Sequence, residues 1–235
     1  MRLVAARGVS KVFANGVRAL DGASLDVGQG EFLSVLGPSG CGKSTLLRII
    51  AGLTPPSAGA IEWPAGKTDL GFVFQEPTLM PWATALGNVA LPLRLGGVAR
   101  GEREARAADA LGHVGLAGFE HTWPRELSGG MKMRVSIARA LVTAPRLLLM
   151  DEPLASLDTA RKQEILPFIE RLRDHFNIPI VYVSHDMDEI IRLADNLILI
   201  DEGRVAAMGS VEDLTSRLDL RPLTGRYEAG SVIAA

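Results

Sequence analysis

The chain has 235 residues, with 25 Lys and Arg against 27 Asp and Glu; 47% of the residues are hydrophobic and 22% charged. Such a mixture excludes a disordered polymer and allows a sizeable core, and a net charge of −2 leaves no basic footprint for a nucleic-acid backbone. No apolar run reaches the roughly 18 residues of a membrane span; one cysteine, Cys41, and a start without a signal peptide's charged and apolar regions point to a reducing, cytosolic setting.

Residues 3–9, 17–27 and 31–36 are rich in aliphatic and β-branched side chains between Gly, Asn and Asp turns, which predicts three strands. A helix is expected over 42–51, with Leu46, Leu47 and Ile50 on one side and Gly52, Pro55 and Pro56 closing it. Within 84–118, the segment 100–114 is rich in Ala, Arg and Glu and poor in apolar residues, as an exposed helical insert would be. Next come a helix over 131–143 and a continuous apolar run over 147–150, the pattern of a strand buried on both faces. Residues 164–176 read as a helix, 180–183 as a second buried strand and 187–193 as a further helix. The runs 197–200 and 205–208 flank Glu202-Gly203 as a hairpin. Strands alternating with helices predict an α/β class with a mainly parallel sheet and helices on both faces. The β-rich start and the helical middle, about 84–145, are then additions to one domain spanning 1–235, with a tail from about 216.

Gly37-Pro38-Ser39-Gly40-Cys41-Gly42-Lys43-Ser44-Thr45 fits the P-loop pattern and stands between an apolar strand and an apolar-periodic helix. Glycines let successive N–H groups turn inward toward phosphate oxygens, and the helix beginning there adds its positive dipole end. Lys43 is expected to neutralise β- and γ-phosphates, and Ser44 to offer Mg2+ a hard oxygen. Cys41 reads as a small filler of the loop. The run Leu147-Leu148-Leu149-Met150-Asp151-Glu152-Pro153 supplies the acidic partner. Asp151 is expected to hold the metal and Glu152, at a strand's carboxyl end, to deprotonate an attacking water. A tandem Asp-Glu favours hydrolysis over transfer to a second substrate.

Leu127-Ser128-Gly129-Gly130-Met131 lies some twenty residues before that strand, with Gln75 ahead of it and Ala155-Ser156-Leu157-Asp158 and Ser184-His185 behind. In this order the set resembles the ATP-binding cassette (ABC) ATPases over essentially the whole chain, which implies a P-loop NTPase core with an N-terminal antiparallel β subdomain and a helical insert. Ser128 reads as an N-cap. The resemblance implies that Ser128, Gly129 and Gly130 face the γ-phosphate held by a second ATPase subunit in a head-to-tail dimer. It implies that Gln75 touches Mg2+ or the attacking water, that His185 contacts the γ-phosphate, and that Asp158 lies in a loop crossing the dimer interface. Phe13 stands where the family stacks an aromatic on adenine; a packed strand Phe is the alternative.

With no fused membrane span, the pores are expected to be separate permease polypeptides, fed by a periplasmic binding protein and powered from the cytoplasmic face of a bacterial inner membrane. Residues 71–82 and 127–140 look like nitrate, sulfonate and taurine importer ATPases. Residues 155–166, 182–186 and 216–233 look like molybdate importer ATPases. In the latter the tail leads into a small oxyanion-binding β domain, which a chain ending at Ala235 is expected to lack. A non-transport ABC ATPase is the competing class, disfavoured by the short interval between Thr45 and Leu127 and the absence of heptads. A module that binds ATP without turnover is disfavoured because Lys43, Glu152 and His185 are all present. Pro77, Leu79, Met80, Pro81 and Trp82 form an apolar cluster after Gln75, expected to receive a membrane subunit; burial of Trp82 within the insert is the alternative.

Overall fold

A computed structural model describes residues 1–66, 69–176 and 178–217. Beyond residue 217 the expected tail, and with it most of the molybdate-like stretch 216–233, lies outside the described residues. In chain order the elements are β1 (Arg2–Val12), β2 (Arg18–Gly28), β3 (Phe32–Leu36), α1 (Lys43–Ile50), β4 (Ala58–Glu62), β5 (Leu70–Val73), α2 (Ala85–Leu95) and α3 (Arg100–His113). A 3-10 turn (Pro124–Glu126) then leads into α4 (Gly129–Leu141), β6 (Leu147–Asp151), α5 (Thr159–Phe176), β7 (Ile180–Val183), α6 (Met187–Leu193), β8 (Asn196–Asp201), β9 (Arg204–Ser210) and α7 (Val211–Ser216).

Two sheets result. The larger runs β5-β6-β7-β3-β8-β9, parallel except for the edge strand β9; the smaller is antiparallel, in the order β2-β1-β4. Because side chains alternate across a strand, each central strand feeds two cores. Leu148 and Met150 of β6 and Ile180 and Tyr182 of β7 join the helical face with α2, α3, α4 and α5. Leu147, Leu149, Val181 and Val183 point the other way, onto α1 and the antiparallel sheet. This two-sided burial is why the strand sequences read as unbroken apolar runs. Helix α3 is largely exposed and inserts only Ala107, Ala110 and Leu111 into the core, which matches its polar composition. Among the described residues, no helix is long and apolar enough to cross a membrane.

Several element bounds depart from the expected ones for local reasons. Helix α4 starts at Gly129, earlier than the 131 expected, because Ser128 Oγ accepts the Met131 N–H at 3.2 Å. Helix α5 starts at Thr159, where 164 was expected, because Asp158 Oδ1 accepts the Arg161 N–H at 3.0 Å. The hairpin between β8 and β9 turns through Glu202 and Gly203 at φ +44° and +79°. Two consecutive positive φ values give the primed turn whose twist suits a hairpin.

Candidate functional site

Strands β6, β7 and β3 are neighbours, and the loops leaving their carboxyl ends carry Asp151-Glu152, Ser184-His185 and the loop 37–45. In an open parallel sheet this edge is where ligands bind. Gly42 begins α1 at φ +107°, and a Cβ there would collide with the Ala19 carbonyl; one on Gly37 would collide with the Ile200 carbonyl. Only glycine lets this loop wrap so closely. Lys43 is 4% exposed, and its Nζ donates to the Gly37 and Pro38 carbonyls at 2.8 and 2.9 Å. A buried ammonium held over a glycine loop suits phosphate oxygens, which offer it stronger acceptors than carbonyls. Cys41 is buried, and burial pushes its thiol pKa up, away from nucleophile chemistry.

Ser44 Oγ donates to Asp151 Oδ1 at 2.6 Å. Burial raises the Asp151 pKa, while the Ser44 hydrogen bond and the Arg48 charge work against that rise. Two hard oxygens in contact, one of them a desolvated carboxylate, are the donor set that Mg2+ shares with phosphates. Glu152 follows at φ +48°, the left-handed region that costs a non-glycine residue. Its Oε1 lies 3.7 Å from Lys43 Nζ, and its Oε2 lies 3.3 Å from His185 Nδ1. The structure therefore brings Lys43, Ser44, Asp151, Glu152 and His185 into one contiguous cluster.

The other expected site residues lie around this cluster or apart from it. Phe13 is 41% exposed in the β1–β2 turn, with Lys11 Nζ 5.4 Å from its ring centroid; it is not a packed strand residue. Gln75 is exposed just past β5, one strand over from Asp151. Trp82 is 75% exposed, which removes the alternative of a buried Trp. Pro81 is exposed as well, whereas Leu79 is half-buried and packs on the helical-side core. Ser128 is exposed at the start of α4, and Gly129 passes close to Leu157 Cδ2 beside the exposed Asp158. Among the described residues, no hydrogen bond or ion pair joins Ser128, Gly129 or Gly130 to the loop 37–45. Within one chain, the segment Ser128-Gly129-Gly130 and the phosphate cradle are thus separate features.

Two positioning residues were not expected from the sequence. Arg139 of α4 donates to the Pro77 and Thr78 carbonyls, each at 2.9 Å. Asn88 of α2, fully buried, accepts the Met80 N–H at 2.7 Å and donates to the Ala83 and Thr84 carbonyls at 3.0 Å. Together they fix the loop that displays Trp82. A polar residue on the core side of a helix was the available hint, since such groups are retained where they have partners.

The sequence matches the ABC transporter family over residues 20–155. It is 45% identical over 216 residues to the molybdenum import ATP-binding protein ModC of Paramagnetospirillum magneticum, covering 86% of this chain and 59% of that protein. It is also 45% identical over 209 residues to the aliphatic sulfonates import ATP-binding protein SsuB 1 of Mesorhizobium japonicum, covering 87% of this chain and 78% of that protein. The Fe(3+) ions import ATP-binding protein FbpC of Brucella abortus is 42% identical over 214 residues, with 88% and 60% covered. The chain thus spans little more than half the length of the molybdenum and iron relatives. An ATP-binding cassette solved as a dimer in a post-hydrolysis state with ADP and Pi aligns with a TM-score of 0.80 at 33% identity, covering 89% of this chain and 99% of that one.

Proposed function

The chain belongs to the ABC transporter family, whose ATPase fold it carries, and from that premise we propose that it binds and hydrolyses ATP to power an importer for a small anion. The observation that carries this reading is the meeting of Lys43, Ser44-Asp151 and Glu152-His185 at one sheet edge. Lys43 and the loop amides of 37–45 hold the β- and γ-phosphates. Ser44 and Asp151 would hold Mg2+, with Gln75 at the end of the next strand as a further oxygen donor; the ion would supply neutralisation of phosphate charge. Glu152 takes the proton of the attacking water, and His185 orients it and the γ-phosphate. Phe13, exposed at its turn, stacks on the base with the ring face that Lys11 leaves open.

The site is completed by a second copy. Ser128, exposed at the start of α4, and the half-buried Gly129 and buried Gly130 that follow it offer the positive helix end, and the adjacent Asp158 reaches across the same interface. The partner's γ-phosphate is the anion they face. Separate permease subunits dock on the loop 77–84, whose exposed Trp82 is an anchor of the kind enriched in interface cores. The cargo is a small oxyanion or sulfonate delivered by a periplasmic binding protein. Equal identity to the molybdenum and sulfonate relatives supports both cargoes.

Trp82→Glu tests the docking assignment. The isolated variant is expected to keep its basal Mg-dependent phosphate release and its melting temperature, because the ring is 75% exposed. It is expected to lose co-purification with its permease and to stop supporting molybdate or sulfonate uptake in cells. Complex formation and uptake at parental levels would place the docking surface elsewhere.

A further inference from the structure

The ring of His185 is 59% exposed, and its hydrogen-bond partner is Glu152 Oε2 at 3.3 Å. One such contact does not fix an imidazole, but the residues on either side are both held. Ser184 Oγ accepts the Asp186 N–H at 3.0 Å and donates to Glu189 Oε2 at 2.7 Å. Asp186 caps α6 by accepting the Asp188 N–H at 3.0 Å, and its other oxygen meets Lys162 Nζ at 2.7 Å. Glu189, 4% exposed, accepts from Tyr182 OH at 2.7 Å on one oxygen and from Lys162 Nζ at 2.8 Å on the other. The Lys162 main chain is tied as well, its N–H donating to the Asp158 carbonyl at 2.9 Å.

Both oxygens of the buried Glu189 have partners, as a desolvated carboxylate requires, and the half-buried Lys162 and Asp186 are paired with each other. Lys162 bridges two carboxylates, Asp186 and Glu189. Its Nζ holds the segment carrying His185, and its N–H holds the residue before α5 that the reading above assigns to the dimer interface. Neither Lys162 nor Glu189 belongs to the phosphate cradle or to the metal pair.

We propose that Lys162, acting through Asp186 and Glu189, is a positioning residue that sets the His185 ring against Glu152 and ties that placement to the Asp158 loop. The inference rests on the ATPase reading of the site. Misplacement of a reacting group by 1 Å can cost on the order of 100-fold in rate. Loosening a loop that stays in place costs less, and about tenfold is expected here.

The test compares Lys162→Met, Lys162→Arg and His185→Ala in the full chain. Steady-state phosphate release is measured well below the melting temperature, and ATP affinity is followed with a fluorescent nucleotide. Lys162→Met is expected to lower kcat about tenfold with ATP affinity within twofold, and Lys162→Arg, which spans both carboxylates, to restore most of it. The His185 ring resonance, identified by its loss in His185→Ala, is expected to shift in Lys162→Met and return in Lys162→Arg. A residue that only supports the fold would lower the melting temperature and leave kcat and the resonance where they were. If Lys162→Met does not fold, Tyr182→Phe keeps the volume and removes one donor from Glu189; the same resonance is expected to move, with a threefold loss of kcat. An unshifted resonance or a parental kcat in the folded variant overturns the inference. A parent chain without Mg-dependent hydrolysis overturns the ATPase reading instead.

Discussion

Replacing Glu152 separates the chemistry of the site from the strain of holding it. At φ +48° a residue with a Cβ sits roughly 1–2 kcal/mol above a glycine. The backbone is kept there by the Glu152 N–H donating to the Val183 carbonyl at 3.0 Å and by the Glu152 carbonyl accepting the Ala155 N–H at 3.2 Å. Glu152→Gly relieves the strain and removes a like charge beside the buried Asp151. Against that stand glycine's extra freedom in the unfolded chain, roughly 0.5–1 kcal/mol, and the loss of part-exposed contacts with Lys43 at 3.7 Å and His185 at 3.3 Å. The balance lies between zero and about 1.5 kcal/mol of stabilisation, up to roughly 5 °C in melting temperature for a domain of this size. Glu152→Gln keeps both Cβ and strain, so it is expected to melt within a degree or two of the parent. Both variants lose the base and are expected to release phosphate at least ~100-fold more slowly, about 2.7 kcal/mol in barrier height. Thermal melts and phosphate release on the same preparations decide it. A Gly variant melting well below the parent refutes the strain assignment, and near-parental turnover in the Gln variant removes Glu152 as the base.

Lys43→Ala is expected to abolish measurable ATP binding in a fluorescent-nucleotide titration while circular dichroism stays native; retained affinity would contradict the cradle. Asp151→Asn follows from the raised pKa of that carboxyl. Its ionised form opposes folding, at full cost above the folded-state pKa and at a vanishing cost as pH falls toward 3.8. The Asn variant is therefore expected to melt higher than the parent at pH 7 by a margin that shrinks toward pH 4, with Mg-dependent hydrolysis lost; a margin that widens on acidification refutes this. Ser128→Arg removes a helix cap worth about 1 kcal/mol and is expected to keep ATP binding through Lys43 but not hydrolysis. Mixed with Lys43→Ala it is expected to give heterodimers with at most one complete site, and full activity of either variant alone would rule out the shared site.

The cradle, the tandem carboxylates and the alternation of strands with helices were legible because each is a local signal. Gly37 to Thr45 carry their chemistry within nine consecutive positions, and the run from Leu147 to Met150 marks a strand whose two faces are both covered. Strand β4 was missed because its Ala and Gly residues are mostly exposed and find partners only in β1. Helix α2 was missed because Gly87 and Pro92 interrupt its period. The early turns of α5 were missed because Thr159 to Gln163 are polar or small, and only the capping oxygen of Asp158 declares the start. The positioning residues were invisible for a different reason. Arg139 binds a carbonyl 61 positions away and Lys162 binds carboxylates 24 and 27 positions away. On a helix whose remaining pattern is ordinary, nothing nearby distinguishes either from a solvated charge.

The crowding around the Ala19 carbonyl joins two parts of the site. Gly42 at the start of α1 and Gly203 in the β8–β9 turn both press on that oxygen closely enough to exclude a methyl group. Gly203 also donates to the Cys41 carbonyl at 3.1 Å and accepts the Asp21 N–H at 2.9 Å. Two residues before Ala19, the Val17 carbonyl accepts the Phe13 N–H at 2.9 Å. Main-chain bonds, joined by the Arg204–Asp21 ion pair, therefore tie the turn that carries Phe13 to the loop that carries Lys43. The two residues proposed to meet opposite ends of the nucleotide thus sit on segments joined directly through their backbones, so a shift of the β8–β9 turn is felt by both.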